Sequence, residues 1–277
     1  MTDRYAVFGH PIGHSKSPRI HTLFAAQTGQ EMDYRAMDVP PESFEAALAT
    51  FLAAGGKGLN CTVPLKELAF RKADALTDRA KRAGAVNTLA VQADGRLLGD
   101  NTDGSGLLRD LMVNLDLQIA GKSLLILGAG GAVRGILEPL LRECPQRLAI
   151  ANRTAGKAKQ LALEFEDLGR IESGGYEELA GQRFDLILNA TAASLSGDVP
   201  PLPAGLLNPN GVCYDLAYGT EPTAFVRWGM GIQAARNVDG IGMLVEQAAE
   251  AFLLWRGVRP DTRPVIRLLN AERGFVS

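Results

Sequence analysis

The stretch Ser123-Leu124-Leu125-Ile126-Leu127-Gly128-Ala129-Gly130-Gly131-Ala132-Val133-Arg134-Gly135 decides the fold. Its apolar start reads as a buried strand, and the helical pattern of Ile136–Leu141 follows the glycines. Strand, glycine turn and helix in that order form a Rossmann-type dinucleotide-binding unit. Gly128 allows the tight turn, and Gly130 lets the backbone approach a pyrophosphate lying on the helix N-terminus. Ala129, Gly131 and Ala132 complete the expected cofactor loop. The third glycine of the usual pattern is replaced by Val133, bracketed by Gly131 and Gly135, so the loop is a variant.

The next strand, Arg147–Ala151, runs into Asn152-Arg153-Thr154, with Lys157 one turn on. An NAD site usually places an acid about 20 residues past the glycine loop, on the ribose hydroxyls. Here stand cations instead. Arg153 can fork onto a 2′-phosphate, Thr154 can donate to it or cap the helix, and Lys157 adds charge. The absent acid points to NADP.

Outward from this unit, apolar or β-branched runs (Tyr5–Phe8, Tyr34–Val39, Gly58–Cys61, Leu186–Leu188, Val212–Tyr214) alternate with helical patterns such as Phe44–Leu52 and Lys157–Phe165. Such alternation predicts an α/β protein of βαβ units and parallel sheets. Turn and capping residues cluster at Asp100-Asn101-Thr102-Asp103-Gly104, before a helix over Leu107–Leu115, and at Asn237-Val238-Asp239-Gly240, before a long apolar helix. They predict two domains, a discontinuous one of residues 1–103 plus 240–277 and a Rossmann-type one of residues 104–239, with a cleft between them.

Composition narrows the function. The chain has 277 residues, enough for two domains, and 29 basic against 31 acidic residues give a net charge of −2. That balance argues against a nucleic-acid binder held by phosphate neutralisation. No apolar run approaches the ~18 residues of a membrane span, and the start of the chain shows no signal-peptide core. Cys61, Cys144 and Cys213 are widely spaced and odd in number, so they read as reduced core residues of a cytoplasmic protein. His10, His14 and His21 have no cysteine neighbour, and no metal site is expected.

Several residues carry candidate chemistry. Asn60-Cys61-Thr62-Val63-Pro64-Leu65-Lys66 leaves a strand and enters a short helix, with Pro64 as a first-turn residue. Lys66 then sits at a helix N-terminus, where the macrodipole opposes its charge, a place suited to a proton-transferring lysine. Asp103 near it can hold a substrate hydroxyl and bias the lysine's protonation. Ser15 and Ser17, before the helix Ile20–Ala26, form a possible carboxylate site, Ser17 also being a good N-cap before Pro18. In the last long helix, Ile241, Leu244, Val245, Ala248, Phe252 and Trp255 make one apolar stripe, with Gln247 on its flank.

At these residues the sequence resembles the shikimate dehydrogenase family over nearly its whole length. The shared motifs are Ser15–Pro18, Asn60–Lys66, Ala83–Thr88, Gly99–Gly104, the glycine loop, Asn152–Thr154 and Asp239–Leu244. The resemblance implies an N-terminal substrate domain, a Rossmann-type domain, and NADPH-dependent, reversible, metal-free reduction of 3-dehydroshikimate to shikimate on the route to aromatic amino acids. It implies that Ser15 and Ser17 bind the substrate carboxylate and that Thr62, Asn87, Asp103, Tyr218 and Gln247 contact the ring. It makes Lys66 the proton-transfer residue, assisted by Asp103. It puts Asp78, Leu216 and Gly240 beside the cofactor, Leu216 replacing a common methionine. The segment Asn189-Ala190-Thr191-Ala192-Ala193-Ser194 departs from the family's serine-rich version. The expected assembly is a monomer or homodimer. The rival readings are a quinate/shikimate dehydrogenase of broader use and a non-catalytic NADP-sensing module, the latter disfavoured by the presence of both Lys66 and Asp103.

Overall fold

The computed structural model describes residues 2–274, which divide into two compact units. The first holds the chain through Leu107 together with Leu244–Leu268; the second holds Leu108–Met243 and the chain from Leu269 onward. The divisions thus fall a few residues beyond the turn clusters at 103/104 and 239/240, and a further one falls within the last helix, between Leu268 and Leu269.

The first unit is built from β1 (Asp3–Gly9), α1 (Ser17–Thr28), β2 (Met32–Asp38), α2 (Phe44–Ala53), β3 (Gly56–Cys61), α3 (Lys66–Lys72), β4 (Ala75–Leu76), α4 (Asp78–Ala83), β5 (Thr88–Val91) and β6 (Leu97–Asp100). Its six strands run in the order β2-β1-β3-β5-β6-β4. Strand β1 alternates as its period of two requires. Ala6 and Phe8 enter one core with Phe44, Leu48, Leu59 and Val86, while Tyr5 and Val7 face the other side with Ile12 and Tyr34. The sheet is mixed, which corrects the expectation of parallel sheets throughout. β1 lies parallel to β2 and β3, but β5 is antiparallel to both β3 and β6. The cause is a hairpin whose turn is closed by Gln92 N–H donating to Arg96 O at 2.8 Å, with Gly95 at φ 84°.

Two local readings also change. Ser17 is the first helical residue of α1 and Lys16 the N-cap, with no side-chain cap bond, because Ser15 Oγ accepts the Ser17 N–H at 3.3 Å. Pro64 lies in the turn closed by Leu65 N–H on Thr62 O (2.8 Å), outside α3 and not in its first turn.

Helix α5 (Asp103–Arg109) leads into the second unit and continues as a π-helical turn, Asp110–Asn114, where an unbroken α-helix is expected over 107–115. The second unit contains β7 (Ser123–Leu127), α6 (Gly131–Arg142), β8 (Arg147–Ala151), α7 (Ala155–Glu164), β9 (Ile171–Gly174), β10 (Phe184–Asn189), β11 (Leu207–Asp215), α8 (Ala224–Gly231) and β12 (Arg236–Val238). All six strands are parallel, in the order β12-β11-β10-β7-β8-β9. β7 and β10 are central, so Leu124–Leu127 and Leu186–Leu188 are buried on both faces and their sequences are continuously apolar. Cys213 joins this core, whereas Cys144 is exposed, against the expectation of a core residue.

Helices α9 (Ile241–Arg256) and α10 (Arg263–Glu272) close the chain. α9 is buried more widely than one stripe: Met243, Ala249 and Ala251 are buried along with Ile241, Val245, Ala248 and Phe252, while Leu244 and Trp255 are only partly so.

Candidate active site

In the first unit the chemistry gathers where β3 and β6 end and β5 begins. Lys66 opens α3 and Asp103 opens α5; Lys66 Nζ donates to Asp103 Oδ2 at 2.5 Å. A carboxylate in the first turn of a helix sits where the macrodipole favours negative charge. The lysine side chain is 21% exposed and the aspartate 10%, so the pair is sheltered yet open to a ligand.

Asn87 fixes the other carboxylate oxygen. The Thr102 backbone N–H can only donate, and it donates to Asn87 Oδ1 at 2.9 Å. The amide nitrogen is therefore turned to Asp103 Oδ1, at 2.8 Å. Gln247 is set the same way: its Nε2 donates to Leu244 O at 2.8 Å, leaving Oε1 toward Asn87 Nδ2 at 3.3 Å and Thr102 Oγ1 at 3.4 Å. Gln247 can take that place only because Gly106 lets the α5 backbone come close. A Cβ on Gly106 would lie 2.7 Å from both Gln247 N and Gln247 Cβ.

A buried chain of hydrogen bonds continues behind this group. Thr88 Oγ1 bonds Asn87 Oδ1 at 2.9 Å, Asn60 Nδ2 donates to Thr88 Oγ1 at 3.0 Å, and Tyr34 Oη donates to Asn60 Oδ1 at 2.7 Å. Tyr34 also bonds the Ser17 side chain, and burial pushes its own pKa well up, so the phenol stays a donor. Sequence reasoning missed Tyr34 because a tyrosine in a strand reads as core. Ser15, half-buried, and the nearly buried Ser17 lie together at the start of α1. Thr62 follows β3, its N–H on Phe8 O at 2.9 Å. Asp78 begins α4 with its side chain fully exposed and its carboxylate 3.2 Å from Lys81 Nζ.

The second unit holds a cavity of about 690 Å³ at the C-terminal ends of its strands. Gly128, Ala129, Gly130, Gly131, Ala132, Asn152, Arg153, Thr154 and Lys157 all line it, so one cavity unites the glycine loop and the cationic turn. Gly128 has φ 111°, and a Cβ there would sit 3.1 Å from Ala190 O. At Gly130 and Gly131 a Cβ would meet nothing within 4 Å, and no side chain caps α6 at Gly130. That N-terminus is open for an anion. Thr154 occupies the N-cap position of α7 without making a cap bond, which leaves its hydroxyl to the cavity. Arg153, Thr154 and Lys157 are exposed around it. These groups fit a dinucleotide with a further phosphate on its ribose. Thr191, Tyr176, Ser196 and Asp198 also line the cavity and were not among the expected residues. Gly174-Gly175 precede Tyr176 and Gly197 lies between Ser196 and Asp198, but no basic residue stands in these segments to mark them.

Further along the second unit, Gly240 N–H donates to Ala217 O at 3.0 Å, and a Cβ on Gly240 would be 2.2 Å from Leu216 O. Only glycine fits there. Tyr218 is half-buried, and burial raises its hydroxyl's pKa, opposed by Arg273. No group of potential metal ligands is found among the described residues, and none of their helices is long and apolar enough to cross a membrane.

Known proteins share the sequence and the fold over most of the chain. The shikimate dehydrogenase substrate binding domain matches residues 7–89, the shikimate/quinate 5-dehydrogenase family residues 112–196, and the shikimate 5'-dehydrogenase C-terminal domain residues 240–269. The shikimate dehydrogenase (NADP(+)) of Methylococcus capsulatus is 68% identical over 98% of this chain and 97% of its own. That of Thioalkalivibrio sulfidiphilus is 58% identical over 97% of this chain and 98% of its own. The solved shikimate 5-dehydrogenase of Thermus thermophilus, in complex with NADP(H) and shikimate, is 35% identical, covers 98% of this chain and 99% of its own, and superposes with a TM-score of 0.84. The chain belongs to the shikimate dehydrogenase family.

Proposed function

We propose that this protein interconverts shikimate and 3-dehydroshikimate with NADP(H), Lys66 moving the proton at the reacting oxygen. The observation that carries the assignment of roles is the Lys66–Asp103 pair, oriented by Asn87 and sheltered at two helix N-termini. In the oxidative direction the C3 hydroxyl loses its proton to Lys66 as the C3 hydrogen departs as hydride. Bound NADP supplies the hydride acceptor, and NADPH the donor in reverse. Asp103 holds the lysine nitrogen in place and offers its carboxylate to a ring hydroxyl. Asn87 and Gln247 present amides whose orientation is already fixed, so little ordering remains to be done on binding. Ser15 and Ser17 bind the substrate carboxylate, with Thr62 and Tyr218 at the ring. Gly128 to Ala132 take the pyrophosphate, while Asn152, Arg153, Thr154 and Lys157 take the adenosine 2′-phosphate. Leu216 and Gly240 flank the nicotinamide. The places of Asp78 and Tyr218 rest on the resemblance alone.

The three cysteines are free thiols, which supports a reducing, cytoplasmic setting. A monomer or a homodimer is the assembly expected.

Lys66→Ala tests the central role. General acid–base assistance contributes about 10²–10⁴-fold, so turnover should fall at least about a hundredfold while the KM for shikimate changes far less. Near-normal turnover with a raised KM would make the lysine a substrate clamp instead.

A further inference from the structure

Asp215 ends β11 with 0% exposure. Among the described residues its oxygens are met by neutral donors from three separate stretches. Oδ1 accepts from Asn189 Nδ2 at 3.0 Å and from the Ala217 N–H at 3.1 Å. Oδ2 accepts from Thr223 Oγ1 at 2.6 Å, and Ser194 adds a further bond. Thr223 is itself the N-cap of α8, accepting the Val226 N–H at 3.2 Å.

Asn189 extends the tie. The Thr191 N–H donates to its Oδ1 at 3.2 Å, so its Nδ2 must face Asp215 and Ser194 Oγ, each at 3.0 Å. Ala190, Thr191 and Ala193, which this knot braces, line the dinucleotide cavity. On the other side, the Ala217 N–H tethers the turn that carries Leu216 and Tyr218, whose backbone already abuts Gly240. Both segments therefore hang on one buried carboxylate that does not line the cavity and is held by neutral donors. Ser194, in the segment that departs from the usual serine-rich pattern, is spent on this knot.

We propose that Asp215 is a positioning residue that holds the 190–194 loop and the Leu216–Tyr218 turn in the arrangement the dinucleotide requires. The inference rests on the dinucleotide reading of the cavity. Because none of the knot's hydrogen bonds involves Arg153, Thr154 or Lys157, it serves the parts that NADP and NAD share.

The test is isothermal titration calorimetry of NADP and NAD on the wild type, Asp215→Ala, Asp215→Asn and Ser194→Ala, with thermal melts alongside. Asp215→Ala should weaken both dinucleotides by the same factor, about tenfold or more, since it orphans buried donors. The KM for shikimate should change less than the dinucleotide affinities, because Tyr218 is the one residue assigned to the ring that lies on a segment the knot holds. Asp215→Asn keeps an oxygen for the two N–H donors and should recover most of the affinity. Ser194→Ala removes one donor and should give a smaller loss, which keeps the test decisive should Asp215→Ala fail to fold. A folded Asp215→Ala, or in its absence Ser194→Ala, with unchanged dinucleotide affinity overturns the inference. So does a loss confined to NADP. If the wild type binds neither dinucleotide, the dinucleotide reading itself fails.

Discussion

In the proposed reading, Arg153 leads the group of residues that chooses the cofactor. It stands where an acid would hold a free ribose 2′-hydroxyl, and it lines the cavity with Thr154 and Lys157. A charge-assisted phosphate contact contributes on the order of 1.5–3 kcal/mol, roughly ten- to a hundredfold in affinity. Arg153→Ala should raise the KM for NADP by about that factor and barely move the KM for NAD. Equal losses with both cofactors would refute the 2′-phosphate assignment. Residues of this kind are legible in a sequence because a cation at a strand end has little structural use there. Asp215 is the opposite case. It reads as one more aspartate before a turn, and only its depth and its four neutral partners show that two loops depend on it. Tyr34 and Asn60 are hidden for the same reason, since their partners lie in strands far apart in the chain.

Helix α1 packs on β2 through a histidine that the sequence leaves without a role. His21 is fully buried, stacked on Tyr34 at 4.1 Å between centroids, with Phe24, Phe252 and Trp255 around it. Burial pushes its pKa from 6.5 down to about 3, against a small opposing pull from Asn60. The unfolded chain therefore binds a proton between pH 6.5 and 3 that the folded chain refuses. Its contribution is complete above pH 6.5 and is lost as the pH falls toward 3. At pH 5 the loss is about 2 kcal/mol relative to pH 8. Urea denaturation of wild type and His21→Phe at both pH values should show a pH dependence weaker by about that amount in the variant. Parallel losses in the two proteins would mean that His21 can be protonated in place. Among elements, the strands and helices flanking the glycine loop follow from their unbroken apolar runs. The β5–β6 hairpin does not, because its strands are four residues each and its antiparallel course depends on a turn. Gln247 falls between these cases: the helix is legible, but its close approach to Gly106 is a tertiary fact.

At the scale of the molecule, each unit brings a separate half of the chemistry. The first orients a lysine, a carboxylate and two amides; the second builds a cavity with an open helix N-terminus and a cationic rim. The order of motifs along the chain makes both halves readable, since each strand end that carries chemistry is marked by a turn. Their fine tuning is not, because buried polar ties such as Asn87 with Thr102 depend on backbone orientation. The most direct test of the whole account is a set of initial rates with shikimate or quinate, each with NADP or NAD. Shikimate with NADP should turn over fastest, with kcat/KM at least about tenfold above shikimate with NAD, given the phosphate contact at Arg153, and above quinate with either cofactor. Comparable rates with quinate or with NAD would contradict the narrow specificity, and cofactor binding without turnover on any substrate would contradict the enzyme.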